Sequence, residues 1–257
     1  MNILIKTIDF IQNLIFTKHC PVCDELTDVF KPETVCQYCL DEIKIIGNNT
    51  YSYPNIDILK SFLIYNGYAR QCLLNFKMYQ NVQSGKFLAD QMYEIIKDIP
   101  EIKNADFVMF IPYTKVKTGR GYNSAEFLAK RIAKKLKKPI LEKCLVKTRE
   151  NLSQTQCLNA KERFKNVQNT FSCADRQLVK KKNIILIDDV YTTGATMKTC
   201  AKLLKNAGAS AIYGVTAEKT DFGEKNEQIK NKKFANKRFF MSEAKLTAMR
   251  NRHLKYK

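Results

Sequence analysis

The sequence predicts an α/β fold: a parallel sheet flanked by helices, with a small N-terminal zinc-ribbon module before it and a basic C-terminal tail after it. Three observations lead there. The apolar run Ile184 to Ile187 is short and continuous, as a strand covered on both faces should be, and helical spacing follows from Met197 to Ala207, ending at Gly208. A second apolar strand, Asp106 to Ile111, is followed by helical spacing from Ser124 to Leu136, which repeats the strand-then-helix order of a parallel sheet. Two C-x2-C pairs, Cys20/Cys23 and Cys36/Cys39, stand near the N-terminus.

Taken in order, Met1 to Thr17 reads as an amphipathic helix with a stripe of Ile3, Leu4, Ile8, Ile11, Leu14 and Ile15. Asp9 and Gln12 interrupt it and no small-residue cleavage site follows, so an export signal is not expected. Docking on an inner-membrane surface is its alternative use. Nothing later approaches the roughly 20 apolar residues of a spanning helix, and a cytoplasmic location is expected. The four cysteines Cys20, Cys23, Cys36 and Cys39 then let two knuckles converge on one Zn2+. Four thiolates leave no open coordination position, so the ion should be structural; disulfides are the competing account, disfavoured in a chain without an export signal. His19 is superfluous as a ligand, and Cys72, Cys144, Cys157, Cys173 and Cys200 read as scattered and unpaired.

In the body, Ser61 to Gly67 reads as a strand and turn, Tyr68 to Tyr79 as a helix presenting Lys77, and Gly85 to Ile99 as a second helix. The Asp106 to Ile111 strand should lie beside the Ile184 strand in the sheet, ligands in such sheets binding at the carboxyl edge. The segment after it supplies Lys115, Arg120 and Gly121. A guanidinium fork suits phosphate oxygens and a glycine permits close backbone approach; a solvated basic loop is the plainer reading. Ile140 to Lys147 is expected as a strand, Thr148 to Phe171 as a basic flap with a helix or turn at Lys161 to Phe164, and Ala211 to Ala217 as a last strand. Domain boundaries are expected at 1–48, 49–220 and 221–257, with a short basic helix at Ser242 to Leu254 in an otherwise disordered tail.

The run Asp188-Asp189-Val190-Tyr191-Thr192-Thr193-Gly194-Ala195-Thr196 carries the chemistry. Thr192, Thr193, Gly194 and Thr196 set hydroxyls and backbone N–H groups at a helix start, where uncapped donors and the dipole favour phosphate. Asp188 and Asp189, as acceptors, suit the 2' and 3' hydroxyls of a ribose whose 5'-phosphate occupies that turn. Aspartates turned into salt links with the turn blocked would remove this reading.

This motif resembles the phosphoribosyl pyrophosphate (PRPP) signature of type I phosphoribosyltransferases. The resemblance implies a ribose role for Asp188 and Asp189, which would be catalytic in an active enzyme, a phosphate role for Tyr191, Thr192, Thr193, Gly194, Ala195 and Thr196, and Mg2+ bound with PRPP. Lys77, Lys115, Arg120 and Gly121 are the candidate pyrophosphate residues. With the zinc knuckles, Phe76-Lys77-Met78-Tyr79, the run Pro112 to Ser124 and the run Thr148 to Phe164 in this order, residues 10 to about 218 resemble the ComF family of DNA-competence proteins. That family usually shows Arg-Gly-Phe-Asn-Gln, whereas Arg120-Gly121-Tyr122-Asn123-Ser124 loses the Gln. The resemblance implies a role in natural transformation, with competence-machinery partners and handling of single-stranded DNA.

The charge is compatible with that. The 257 residues carry a formal charge of +19, and a Lys-rich composition invites a polyanionic partner, although codon bias alone could produce it. There is no Trp for base stacking, so backbone electrostatics would dominate. Two functions of different kinds follow: a competence factor that binds a phosphoribosyl ligand, or an active transferase that displaces pyrophosphate with a base or amine.

Overall fold

The computed structural model describes residues 19–27, 35–43, 45–46, 49–113, 123–148 and 170–220. The expected N-terminal helix, Lys115, Arg120, Gly121, the interior of the flap and the whole tail lie outside the described residues.

A short helix α1 (Gln37–Glu42) precedes a hairpin of β1 (Tyr51–Tyr53) and β2 (Ile56–Ile64). Helices α2 (Gly67–Tyr79), α3 (Val82–Glu94) and α4 (Pro100–Lys103) lead to β3 (Phe107–Phe110), α5 (Ser124–Leu136) and β4 (Leu145–Lys147). Then come β5 (Phe171–Cys173), β6 (Asn183–Tyr191), α6 (Ala195–Asn206) and β7 (Ala211–Lys219). The main sheet runs β1-β2-β7-β6-β3, parallel throughout except for the edge hairpin β1/β2. The expected neighbour pair is present: Phe110 stands opposite Ile187, and Ile111 N–H donates to the Ile187 carbonyl at 3.0 Å.

Helix starts are set by side-chain oxygens. Asn66 accepts from Ala69 N–H, Asn81 from Gln83 and Ser84, and Asn123 from Ala125. Asn123 also donates from Nδ2 to the Ile111 carbonyl at 3.2 Å, which pins the start of α5 to the carboxyl end of β3. Two buried clusters cover the sheet. One packs Phe62, Leu73, Phe76, Leu88, Met92, Leu128 and Ile132 against Ile185, Ile187 and Val215; the other packs Met197, Cys200 and Leu204 against Leu59, Met109 and Leu186. Each buried aliphatic side chain contributes about 1.5–3 kcal/mol, so both faces are needed for a stable sheet.

Several boundaries differ from expectation. Strand β2 begins at Ile56, not Ser61, and is preceded by β1, because Asp57 is satisfied across space by Ile212 N–H (2.7 Å) and Lys205. Helix α3 starts at Val82 under its Asn81 cap, and Gly85 lies inside it, where a Cβ would stand 2.3 Å from Phe76 Cε2. The expected strand Ile140 to Lys147 is regular only at Leu145–Lys147 and pairs with β5 in a separate two-stranded sheet; Ile140 makes a lone bridge to Val108. Cys144 and Cys173 are not scattered: their sulfurs lie 3.4 Å apart and both reach the Asp175 carbonyl.

The four-cysteine segment shares the first cluster. Cys20, Val22, Val35 and Cys39 are buried with Leu73, Phe76 and Leu88. Asn75 Nδ2 donates to the Val22 carbonyl at 2.8 Å and Ser84 Oγ to the Pro21 carbonyl at 2.5 Å, so α2 and α3 hold the first knuckle by its backbone. Among the described residues no helix is long and apolar enough to cross a membrane.

Candidate phosphoribosyl site and four-cysteine cluster

The acidic pair sits at the carboxyl end of β6, the strand between β7 and β3. The strand continues through both aspartates to Tyr191, then turns sharply into α6. Gly194 makes that turn with φ +74°, and a Cβ there would meet the Tyr191 hydroxyl at 2.2 Å, so glycine is required twice over. As the residue before α6, Gly194 offers no side-chain oxygen to the first-turn N–H groups; Thr193 Oγ1 accepts from Ala195 N–H at 3.3 Å. Asp188, Val190, Tyr191, Thr192, Gly194, Ala195, Thr196 and Met197 line one open concavity at this turn. A twelve-residue helix whose N-cap residue contributes no side chain, starting beside a depression, suits a phosphate.

Two aspartates with different surroundings share the strand end. Asp188 is half-buried at the edge of the concavity and accepts from the Asp189 amide at 2.9 Å. Burial, and then the neighbouring Asp189 charge, push its carboxyl up to about 8, against the Asp189 amide and Lys77, which favour ionisation. Asp189 is engaged on one oxygen: Lys77 Nζ lies 2.6 Å from Oδ2, and Ser124 Oγ donates to the same atom at 2.5 Å. One aspartate is thus in a salt link, but the turn beside it is open, and its partner is the residue expected to hold pyrophosphate. Lys77 is brought to the site on the last turn of α2, and it faces the acidic pair.

Tyr191 is packed beneath the turn instead of lining it with its hydroxyl: it is 4% exposed, its ring stacks on Tyr53 at 5.5 Å, and its hydroxyl finds no hydrogen-bond partner among the described residues. Phe127, another aromatic near the site in sequence, packs on Phe76 at 5.1 Å.

Sequence reasoning missed two residues here. Ser124 stands where the Gln of the usual run is lost, and it supplies the hydroxyl that orients Asp189. Glu218, next to the end of β7, is opposite Val190 in the parallel register and fully buried, with neither carboxylate oxygen hydrogen-bonded among the described residues. Burial is the main cause that pushes it up to about 8; Lys77 and then Arg70 oppose this, and Asp189 adds to it. No local pattern marks it, since a glutamate after Ala217 reads as the polar end of a strand.

Carboxyls raised in the folded state bind protons that the unfolded chain has lost. The contribution of these two groups to stability is therefore fullest near pH 4 and declines as pH rises toward about 8, by at most ~1.4 kcal/mol per pH unit for each. Urea midpoints of the wild type are expected to fall between pH 5 and 8, and Glu218→Gln should flatten that fall. Parallel curves for the two proteins would show that Glu218 is ionised in the fold.

The cysteine cluster has the geometry of a closed metal site. The Sγ atoms of Cys20, Cys23, Cys36 and Cys39 all lie within 4.8 Å of one another. A tetrahedral Zn2+ at ~2.3 Å from each sulfur requires S–S edges of roughly 3.8 Å, and Cys23 and Cys36 are 3.8 Å apart. Cys36 N–H also points at Cys20 Sγ at 3.5 Å, a donor that favours a thiolate. His19 turns away, its Nδ1 against the Asp24 carbonyl at 2.8 Å.

The phosphoribosyl transferase domain family matches residues 119–246. Competence protein F of Haemophilus influenzae is 26% identical over 200 residues, which is 74% of this chain and 87% of that protein. The chain is thus a relative of a competence protein and contains a match to a phosphoribosyl transferase domain. A second relative, the DNA utilization protein YhgH of Escherichia coli, is 30% identical over 93 residues; the match spans 36% of this chain and 40% of that protein. Among solved structures, the glutamine PRPP amidotransferase of B. subtilis, complexed with ADP and GMP, is 20% identical with a TM-score of 0.35, covering 51% of this chain and 25% of that one.

Proposed function

We propose that this competence-related protein binds a phosphoribosyl ligand, PRPP in the first instance, and acts on single-stranded DNA in the cytoplasm. The supporting observation is the juxtaposition at the end of β6: two carboxyls, Asp188 pushed up to about 8 by burial and Asp189 ion-paired with Lys77, beside an open turn at a helix start. Asp188 and Asp189 take the ribose hydroxyls, and Thr192 to Thr196 take the 5'-phosphate. Their carboxylate oxygens also suit Mg2+ held together with PRPP, an ion that would supply positive charge to the pyrophosphate. Zn2+ in the cysteine cluster is structural. Lys115, Arg120 and Gly121 remain candidates for pyrophosphate.

A second reading, an active transferase, draws on the same carboxyls, which would stabilise positive charge developing at C1'. Measuring pyrophosphate release from PRPP and Mg2+ across a panel of bases and amines, beside gel shifts with single-stranded DNA, separates the two. Release with a defined acceptor selects the enzyme. DNA binding without release selects the binding protein; such binding should weaken steeply with salt and show little sequence preference. Salt-insensitive or sequence-selective shifts would count against backbone electrostatics.

A further inference from the structure

Glu218 is the most anomalous side chain in the described residues. It is fully buried, neither of its oxygens has a hydrogen-bond donor among the described residues, and it lies one strand from the acidic pair, opposite Val190. Adjacent strands are about 4.8 Å apart, so its carboxyl belongs to the same carboxyl edge as Asp189. A buried acceptor without a donor is costly, and proteins keep such groups where a second state satisfies them. The cation that bears on it most is Lys77, ahead of Arg70, yet the Lys77 ammonium is committed 2.6 Å from Asp189. Arg70 is occupied with the Tyr65 hydroxyl at 3.0 Å. Lys77 ends a flexible four-carbon stem on the last turn of α2, with a side chain 22% exposed, and can swing between two acceptors at little cost.

We propose that Glu218 is a positioning residue that receives the Lys77 ammonium when a sugar takes Asp189. Resting on the phosphoribosyl reading, this goes beyond it by explaining how Asp189, engaged by Lys77 in the free protein, becomes available to a ribose. Hydroxyl donors of the ligand replace Lys77 and share Asp189 with Ser124. The displaced ammonium moves to the orphaned carboxyl, which loses its proton to solvent and gains a charged partner, so the net charge at the edge is conserved apart from that proton. Without Glu218, the ammonium loses that second acceptor and competes with the sugar.

Ribose 5-phosphate is the probe, because it lacks the pyrophosphate that Lys77 would otherwise contact. Calorimetric titration is expected to show about 10- to 100-fold weaker binding to Glu218→Leu than to wild type, the range for a lost charge-assisted hydrogen bond. In a Lys77→Met background the same substitution should cost nothing further. A merely structural role for Glu218 would lower affinity equally in both backgrounds, and that result overturns the hand-over. Equal binding by wild type and Glu218→Leu overturns it too, and leaves the sugar site standing. Failure of the wild type to bind ribose 5-phosphate overturns both. Glu218→Leu removes an unsatisfied buried carboxyl and should melt at or above the wild-type temperature; Glu218→Gln runs the same cycle if the leucine variant does not fold.

Discussion

Cys39→Ser is expected to collapse the described core, not merely to detach a finger. Cys39 and Cys20 are fully buried, and they sit in one cluster with Leu73, Phe76 and Leu88 of the helices that cover the sheet. The first knuckle is held by Asn75 and Ser84, so loss of its fold leaves those buried polar groups of α2 and α3 without acceptors. Apparent binding energies of structural zinc reach ~10–16 kcal/mol in small peptides, as large as the whole ~5–15 kcal/mol stability of a domain. A drop in melting temperature of at least about 10 °C is expected, at roughly 2–4 °C per kcal/mol for a chain of this size. Because α2 carries Lys77, the same variant should lose ligand binding. Chelation should release one equivalent of Zn2+ as the protein melts. Metal-free protein that melts at the wild-type temperature would sink the structural role.

Asp188→Asn combined with Asp189→Asn is expected to abolish PRPP binding, with at least a 100-fold loss of affinity by calorimetry, while leaving the melting temperature unchanged or raised. The first half follows from acceptor chemistry: an amide offers one acceptor oxygen where a carboxylate offers two, and it carries no charge for a bound cation. The second half follows from burial. With its carboxyl pushed up to about 8, Asp188 is already mostly neutral at pH 7, so an amide in its place changes little in the charge of the free protein. Asp189 is a different case, since its amide would leave Lys77 without its anion, a cost moderated by the 22% exposure of that side chain. Retained affinity in the double variant would remove the ribose assignment, whatever the stability.

The pattern of successes and misses along the chain has a common physical cause. Ser124–Leu136 is readable because one amphipathic face and an Asn cap are local properties, and β3 beside β6 follows from two apolar strands in a parallel order. The acidic pair and the glycine turn are readable because their chemistry is contiguous in sequence. Strand β2 was less visible: Asp57 and Ser61 look like strand-breaking polarity until Ile212, Lys205 and Thr216 are seen to satisfy them from 148 to 155 residues away. Gly85 looked like a helix start, whereas it is the mid-helix residue small enough to admit Phe76.

By itself the sequence determined the α/β class, the two cysteine knuckles, the Asp188–Thr196 turn and the family these imply, because each rests on residues adjacent or periodic along the chain. Tertiary structure alone decided that Lys77 and Ser124 converge on Asp189, that the knuckles share the core of the sheet, and that Glu218 is buried without a donor among the described residues. Burial and charge pairing depend on which strands and helices meet across space, and no spacing along the chain encodes that.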